Sequence, residues 1–192
     1  MRVGIGYDVH RFHGKGPLRL GGIIVPSARG LLGHSDADVL LHAVADALFG
    51  AIGAADIGEQ FPSSDSKWRK VNSRRFIDAA IRQVRRKGFA VANIDATVVA
   101  DTPKLIGYKT KMAKAISAML KIAPSQVSVK AKTTETFCPG KEGIAAQAVV
   151  LLDKAKGKRQ KAKGKRRGGT SFLLSFYFLL LPCLWARSGA TP

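Results

Sequence analysis

The sequence predicts an α/β chain of the layered α+β kind: a mixed four-stranded sheet with helices on one face, plus a small N-terminal hairpin. Three observations predict it. Segments in which apolar residues alternate exchange with segments in which they recur at spacings of three and four, from residue 1 to about 155. The last strand-like segment, 144–152, is almost continuously apolar, as in a strand covered on both faces. No internal repeat divides the chain, which excludes a solenoid.

Residues 2–9 and 18–25 read as two short strands joined by a Gly-rich loop with His13, Gly14, Gly16 and Pro17, most simply a hairpin. Val39, Leu40, Ala43, Val44, Ala47, Leu48 and Ala51 then form the inward stripe of a helix, and Ser35 with Asp38 resembles a capping box at its start. A loop follows, holding Asp56, Ile57, Gly58 and the stretch from Phe61 to Asp65. A second helix spans about 73–87, with Phe76, Ile77, Ala80, Ile81 and Val84 inward, Asn72 as cap and Gly88 at the left-handed C′ position. Residues 90–100 form a strand with a β-branched centre. Pro103 opens a helix carrying Met112, Ile116, Met119 and Leu120 inward, and Val127, Val129 and Ala131 alternate in another strand.

Net charge is +19, from 32 Lys+Arg against 13 Asp+Glu, but it is unevenly spread. Ten basic residues and no acid follow Asp153, which leaves +9 on everything before. The run 154–169 is rich in Lys, Arg and Gly, cannot bury a core and is expected to be disordered. Residues 172–186 are strongly apolar but only 15 long and interrupted by Pro182, against the about 20 apolar residues of a membrane span. A weak tail anchor and the translated product of a displaced stop codon both account for them, the second more simply. The expected organisation is a folded domain over 1–155 and a tail over 156–192, with membrane contact, if any, through that tail. Two cysteines, Cys138 and Cys183, exclude a disulfide scaffold. The first nine residues lack the basic start and apolar run of a signal peptide, so a cytoplasmic protein is expected.

Asp8 and His10 lie two apart in a strand, so both side chains leave the same face. Asp38, His42 and Asp46 follow at i, i+4 and i+8 along one helix edge. A neutral imidazole at His42 can complete a metal-binding triad with Asp8 and His10, leaving a coordination position open, and Asp46 is placed to orient the ring of His42. On these residues alone, a solvated helix edge with one satisfied histidine is the simpler account.

What tips the balance is a set of motifs occurring in one order: Gly4, Gly6, Tyr7, Asp8 and His10; Gly33 to Asp38; Asp56 to Gly58; Phe61 and Pro62; Pro103 and Lys104; and Lys130 to Glu135. Together they closely resemble the 2-C-methyl-D-erythritol 2,4-cyclodiphosphate synthase family of the non-mevalonate isoprenoid pathway, over about residues 1–155. The resemblance implies conversion of 4-diphosphocytidyl-2-C-methyl-D-erythritol 2-phosphate into the cyclic diphosphate with release of CMP. It implies zinc at Asp8, His10 and His42, a second ion, Mg²⁺ or Mn²⁺, held with Glu135, and His34 and Thr133 donating to phosphoryl oxygens. Asp56, Ile57, Gly58, Phe61 and Asp65 would take the methylerythritol part, with Ser35 beside them. Ala100, Pro103, Lys104, Lys132, Thr134, Phe137 and Lys141 would take the cytidine diphosphate part. It also implies a homotrimer with active sites between adjacent subunits.

Two departures stand out. Ser63 replaces an acid usual in the family, and the stretch from Thr136 to Gly143 is shorter and lacks the family's arginine. Lys141 can replace its charge but not its bidentate fork. One rival is a nucleic-acid binder, suggested by Arg74, Arg75, Arg82, Arg85, Arg86 and Lys87 on one helix. No nucleic-acid motif accompanies them and no aromatics interleave with the basic stretches, so no nucleic-acid partner is expected. Another is a relative that kept fold and metal but lost turnover.

Overall fold

The computed structural model describes residues 1–135 and 142–155. The expectations for Phe137, Lys141, both cysteines and the 156–192 tail fall outside those residues. A five-stranded sheet is ordered β4-β1-β7-β5-β6, with β1 at Arg2–His13, β4 at Gly30–Leu31, β5 at Phe89–Val99, β6 at Val127–Lys132 and β7 at Gly143–Lys154. Only β5 and β6 pair in parallel, so the sheet is mixed as expected. The fifth strand, β4, is two residues long and carries no alternation from which a sequence reading could find it.

The N-terminal hairpin is built differently from the expectation. Its strands are β2, Leu18–Leu20, and β3, Ile23–Val25, folded about Gly21 and Gly22, while β1 pairs along its length with β7. Both glycines have φ above +60°, as a tight turn with two left-handed positions requires, and only glycine adopts that at no steric cost. A long loop closure between β1 and 18–25 loses to this two-residue turn.

α1 spans Val39–Ala51 and buries eleven of its thirteen residues, including Leu41, Ala45 and Phe49 outside the predicted stripe. A helix buried nearly all round is a central helix, covered by the sheet on one side and by α3, Arg74–Arg86, on the other. Fully burying a side chain such as Phe49 contributes about 2 kcal/mol or more. Its N-cap is Asp38 rather than Ser35. The Asp38 carboxylate accepts from Leu41 N and, across the fold, from Gly21 N and Gly22 N at 2.7 Å, so one buried acid caps the helix and pins the hairpin.

α3 buries the five residues expected and turns its arginines to solvent. Its N-cap is Ser73, and Asn72 accepts from Arg74 N in a local turn. Gly88 takes the left-handed position that ends it, with φ +77°. α4 spans Lys109–Leu120 with Met112, Ile116 and Leu120 buried. It begins six residues after Pro103, because Gly107 breaks the run and the buried Leu105 anchors the intervening loop. Among the described residues no helix is long and apolar enough to cross a membrane.

The helices pack on one sheet face, and the glycines of β1 decide how closely. An added Cβ at Gly4 or Gly6 would lie 2.0 Å from the carbonyl oxygen of Ala47 or Ala43. The backbone of α1 therefore rests directly on β1, which brings His42 beside the far end of that strand. The opposite face leaves Val3, Ile5, Tyr7 and Val9 of β1 and Val149 of β7 exposed, between 40% and 65%.

Candidate metal centre and active site

Three donors converge where α1 crosses β1. Asp8 Oδ2 lies 3.0 Å from His10 Nε2 and 2.8 Å from His42 Nδ1, and the two ring nitrogens are 3.2 Å apart. In a tetrahedral zinc site with bonds of about 2.0–2.1 Å to N and O, neighbouring ligands stand about 3.3 Å apart, so the triangle is close to the right size.

The residues behind His42 fix its tautomer. Ser73 donates its single hydroxyl proton to Asp36 Oδ1, so its oxygen must accept from His42 Nε2, 2.8 Å away, and Ser35 Oγ stands 3.0 Å from the same nitrogen. With Nε2 turned to Ser73 and Ser35, Nδ1 is the ring nitrogen that faces Asp8 and His10, and a divalent ion within the triangle would satisfy all three donor atoms at once. The donor set therefore fits the metal. Burial would push the Asp8 carboxyl up, but the two imidazoles outweigh it and hold the group well below the usual carboxylate range. Burial likewise opposes charge on His10, and the Asp8 carboxylate outweighs it, raising the imidazole above its ordinary value. The first shift favours the ionised carboxylate that a metal ligand must be, and the second keeps on His10 a proton that a bound metal would displace.

Asp46 does not orient His42. Its Oδ1 accepts from Ile57 N at 2.8 Å, and so it positions the segment after Asp56 against the centre. Ser73 and Asp36, which sequence reasoning missed as site residues, take the orienting place. The only signal for Ser73 was its position at a helix start; Asp36 fell inside a quoted motif without a role.

A cleft of about 240 Å³ opens beside the triad, bounded by His34, Ser35, Ile57, Gly58 and Phe61. Phe61 packs on Trp68 and Phe76 with ring centroids 4.8 Å apart in each case, giving an apolar floor, and Ser63 lies on the rim. Asp56 and Asp65 are structural at short range. Asp56 caps the single-turn helix α2, Ile57–Gln60, while Asp65 caps the turn that follows and pairs with Lys67.

A second cleft of about 340 Å³ gathers Ala100, Lys104, Lys132, Thr133 and Glu135. Thr133 donates to Glu135, and Thr134 N and Oγ1 are held by Asp101 at 2.8 and 2.7 Å. These bonds keep the Asp101 carboxyl below its ordinary value. Asp101, like Ser73, was not singled out from sequence. Thr134 is turned toward Asp101, and Pro103 stands in the adjoining loop. The two clefts share no lining residue. Asp8 is level with Ala146 on β7, Val98 on β5 and Ala131 on β6, which sets them three strand spacings, roughly 14 Å, apart across the sheet.

Comparison with known proteins points the same way. The YgbB family model matches residues 1–153. The 2-C-methyl-D-erythritol 2,4-cyclodiphosphate synthase of Aliivibrio fischeri is 49% identical over 157 residues, covering 81% of this chain and 99% of its own. That of Pelotomaculum thermopropionicum is 52% identical over 156 residues, covering 80% and 96%. A solved 2C-methyl-D-erythritol-2,4-cyclodiphosphate synthase in a CDP-bound form superposes with a TM-score of 0.74 at 36% identity, over 79% of this chain and all of the other.

Proposed function

The chain belongs to the YgbB family, and from that premise we propose that it is a metal-dependent cyclising phosphorus–oxygen lyase. It converts 4-diphosphocytidyl-2-C-methyl-D-erythritol 2-phosphate into 2-C-methyl-D-erythritol 2,4-cyclodiphosphate and CMP, in the non-mevalonate supply of isoprenoid precursors. The observation that carries this reading is the convergence of Asp8, His10 and His42, tautomer fixed, beside a cleft that also holds His34.

An oxygen of the substrate's own 2-phosphate forms a bond to the β-phosphorus. The bond from that phosphorus to the bridging oxygen breaks, and CMP leaves with the electron pair. No protein nucleophile is needed, so the protein's task is to fold the substrate and offset its charge. Zinc at Asp8, His10 and His42, and Mg²⁺ or Mn²⁺ held with Glu135, supply Lewis-acid stabilisation of phosphoryl charge when bound. His34 and Thr133 donate to phosphoryl oxygens as negative charge grows there. Phe61, Ile57 and Gly58 enclose the methylerythritol carbons, with Ser35, Asp56 and Asp65 on the polar side. Ala100, Pro103, Lys104, Lys132 and Thr134 take the cytidine diphosphate, and Phe137 and Lys141 are assigned to the same part of the substrate.

The working unit is a homotrimer in the cytoplasm. Two features support that assembly. An exposed row of Val3, Ile5, Tyr7 and Val9 is more apolar than a solvent-facing strand normally is. The separation of the two clefts also leaves each half-site in need of a neighbour's complement. Sedimentation of the purified protein is expected to give three times the chain mass. The reaction itself is tested by CMP release from the substrate, which chelation of divalent ions should abolish and zinc with Mg²⁺ restore.

A further inference from the structure

Next to the metal-side cleft lies a second depression of about 400 Å³ that the assignments above leave unused. His34 and Ser63 border both, so the two adjoin. The rest of its wall is Gly33, Ser64, Ser66, Arg69 and Lys70, with no carboxylate among the described lining residues. Neither Arg69 nor Lys70 has an ion-pair partner among the described residues. The wall is tied to the catalytic side through the backbone, because Lys70 N donates to the carbonyl of His34 at 2.6 Å. Lys70 makes that bond with φ +58°, a left-handed conformation uncommon for a residue with a side chain.

We propose that this depression is a phosphate-binding annex, in which Arg69, Lys70 and the serine hydroxyls hold the non-attacking oxygens of the substrate's 2-phosphate. The inference rests on the functional reading above and extends it. Cyclisation brings a phosphate monoester against a diphosphate, two groups of like charge, and cations behind the attacking phosphate lower that repulsion while orienting it. A planar guanidinium, an ammonium and three hydroxyls around one open depression form a donor set suited to a tetrahedral dianion. An acid at position 63 would repel that dianion; Ser63 donates to it.

The test is the double variant Arg69→Ala/Lys70→Gly, studied as zinc-loaded protein. Glycine at position 70 keeps the left-handed backbone, so the tie to His34 survives loss of the ammonium. The expected result is a fall in kcat/KM for the substrate of roughly 30-fold or more, as loss of two charge-assisted hydrogen bonds implies. Affinity for CDP, which lacks the 2-phosphate, should stay unchanged, and Arg69→Lys should recover part of the loss. A kcat/KM within twofold of wild type, or a parallel loss of CDP affinity, overturns the annex. Wild-type protein that neither binds CDP nor releases CMP overturns the functional reading itself, and the annex with it.

Discussion

His42→Ala is expected to leave the Asp8–His10–His42 centre without its divalent ion and to slow CMP release by about a thousandfold or more. The residue is 8% exposed and supplies one of three ligands whose donor atoms stand about 3 Å apart. Removing it leaves Asp8 and His10, and two protein ligands hold a divalent ion far more weakly than three. Ser73→Ala should act more gently and in an informative way. The ring of His42 keeps its place but loses the oxygen that fixes its Nε2 proton, and zinc affinity should fall by about 10- to 100-fold. Metal content by mass spectrometry, with CMP release on the same samples, reads both variants. Full zinc content in His42→Ala, or turnover within tenfold of wild type, would contradict the assignment of the triad.

Gly6→Ala should destabilise the fold by about 3 kcal/mol or more, the upper end of overpacking. The added carbon meets Ala43 O at 2.0 Å and Ala47 N at 2.7 Å, both backbone atoms of a helix packed on its other side as well, so nothing can yield by a rotamer change. Relief requires α1 to lift from β1. That movement also carries His42 away from Asp8 and His10, so zinc affinity and stability should fall together. Gly16→Ala is the control, since nothing lies within 4 Å of its added carbon. Denaturant midpoints of the two variants measure the difference, and equal midpoints would mean that α1 does not rest on the strand as described.

The pair of glycines shows what a sequence can and cannot disclose. Their i, i+2 spacing was legible, and with Asp8 and His10 it placed four residues on one strand face. That this face had to be bare because a helix backbone lies on it was not, since close approach depends on a partner about 40 residues away. The same holds for polar contacts. The triad followed from strand and helix periods, which fix direction locally. Asp46 found a backbone donor at Ile57 instead of His42, and Asp38, expected as the partner of Ser35 in a capping box, is itself the cap and also holds Gly21 and Gly22. Ser73, Asp36 and Asp101 orient site residues through tertiary hydrogen bonds, and such bonds leave no period in a sequence. The helices α3 and α4 were readable because their apolar stripes are one-sided. α1 was read as one-sided too, and its full burial emerged only once α3 was in place.

The reaction proposed for this chain joins the substrate's 2-phosphate to its β-phosphorus rather than admitting water there. Phosphorus NMR of the zinc-loaded protein with 4-diphosphocytidyl-2-C-methyl-D-erythritol 2-phosphate and Mg²⁺ tests it most directly. The predicted result is growth of CMP and the cyclic diphosphate in equal amounts, stopped by chelation. CMP accompanied by an open-chain bisphosphate, or unchanged substrate in the presence of a fully zinc-loaded protein, would contradict it.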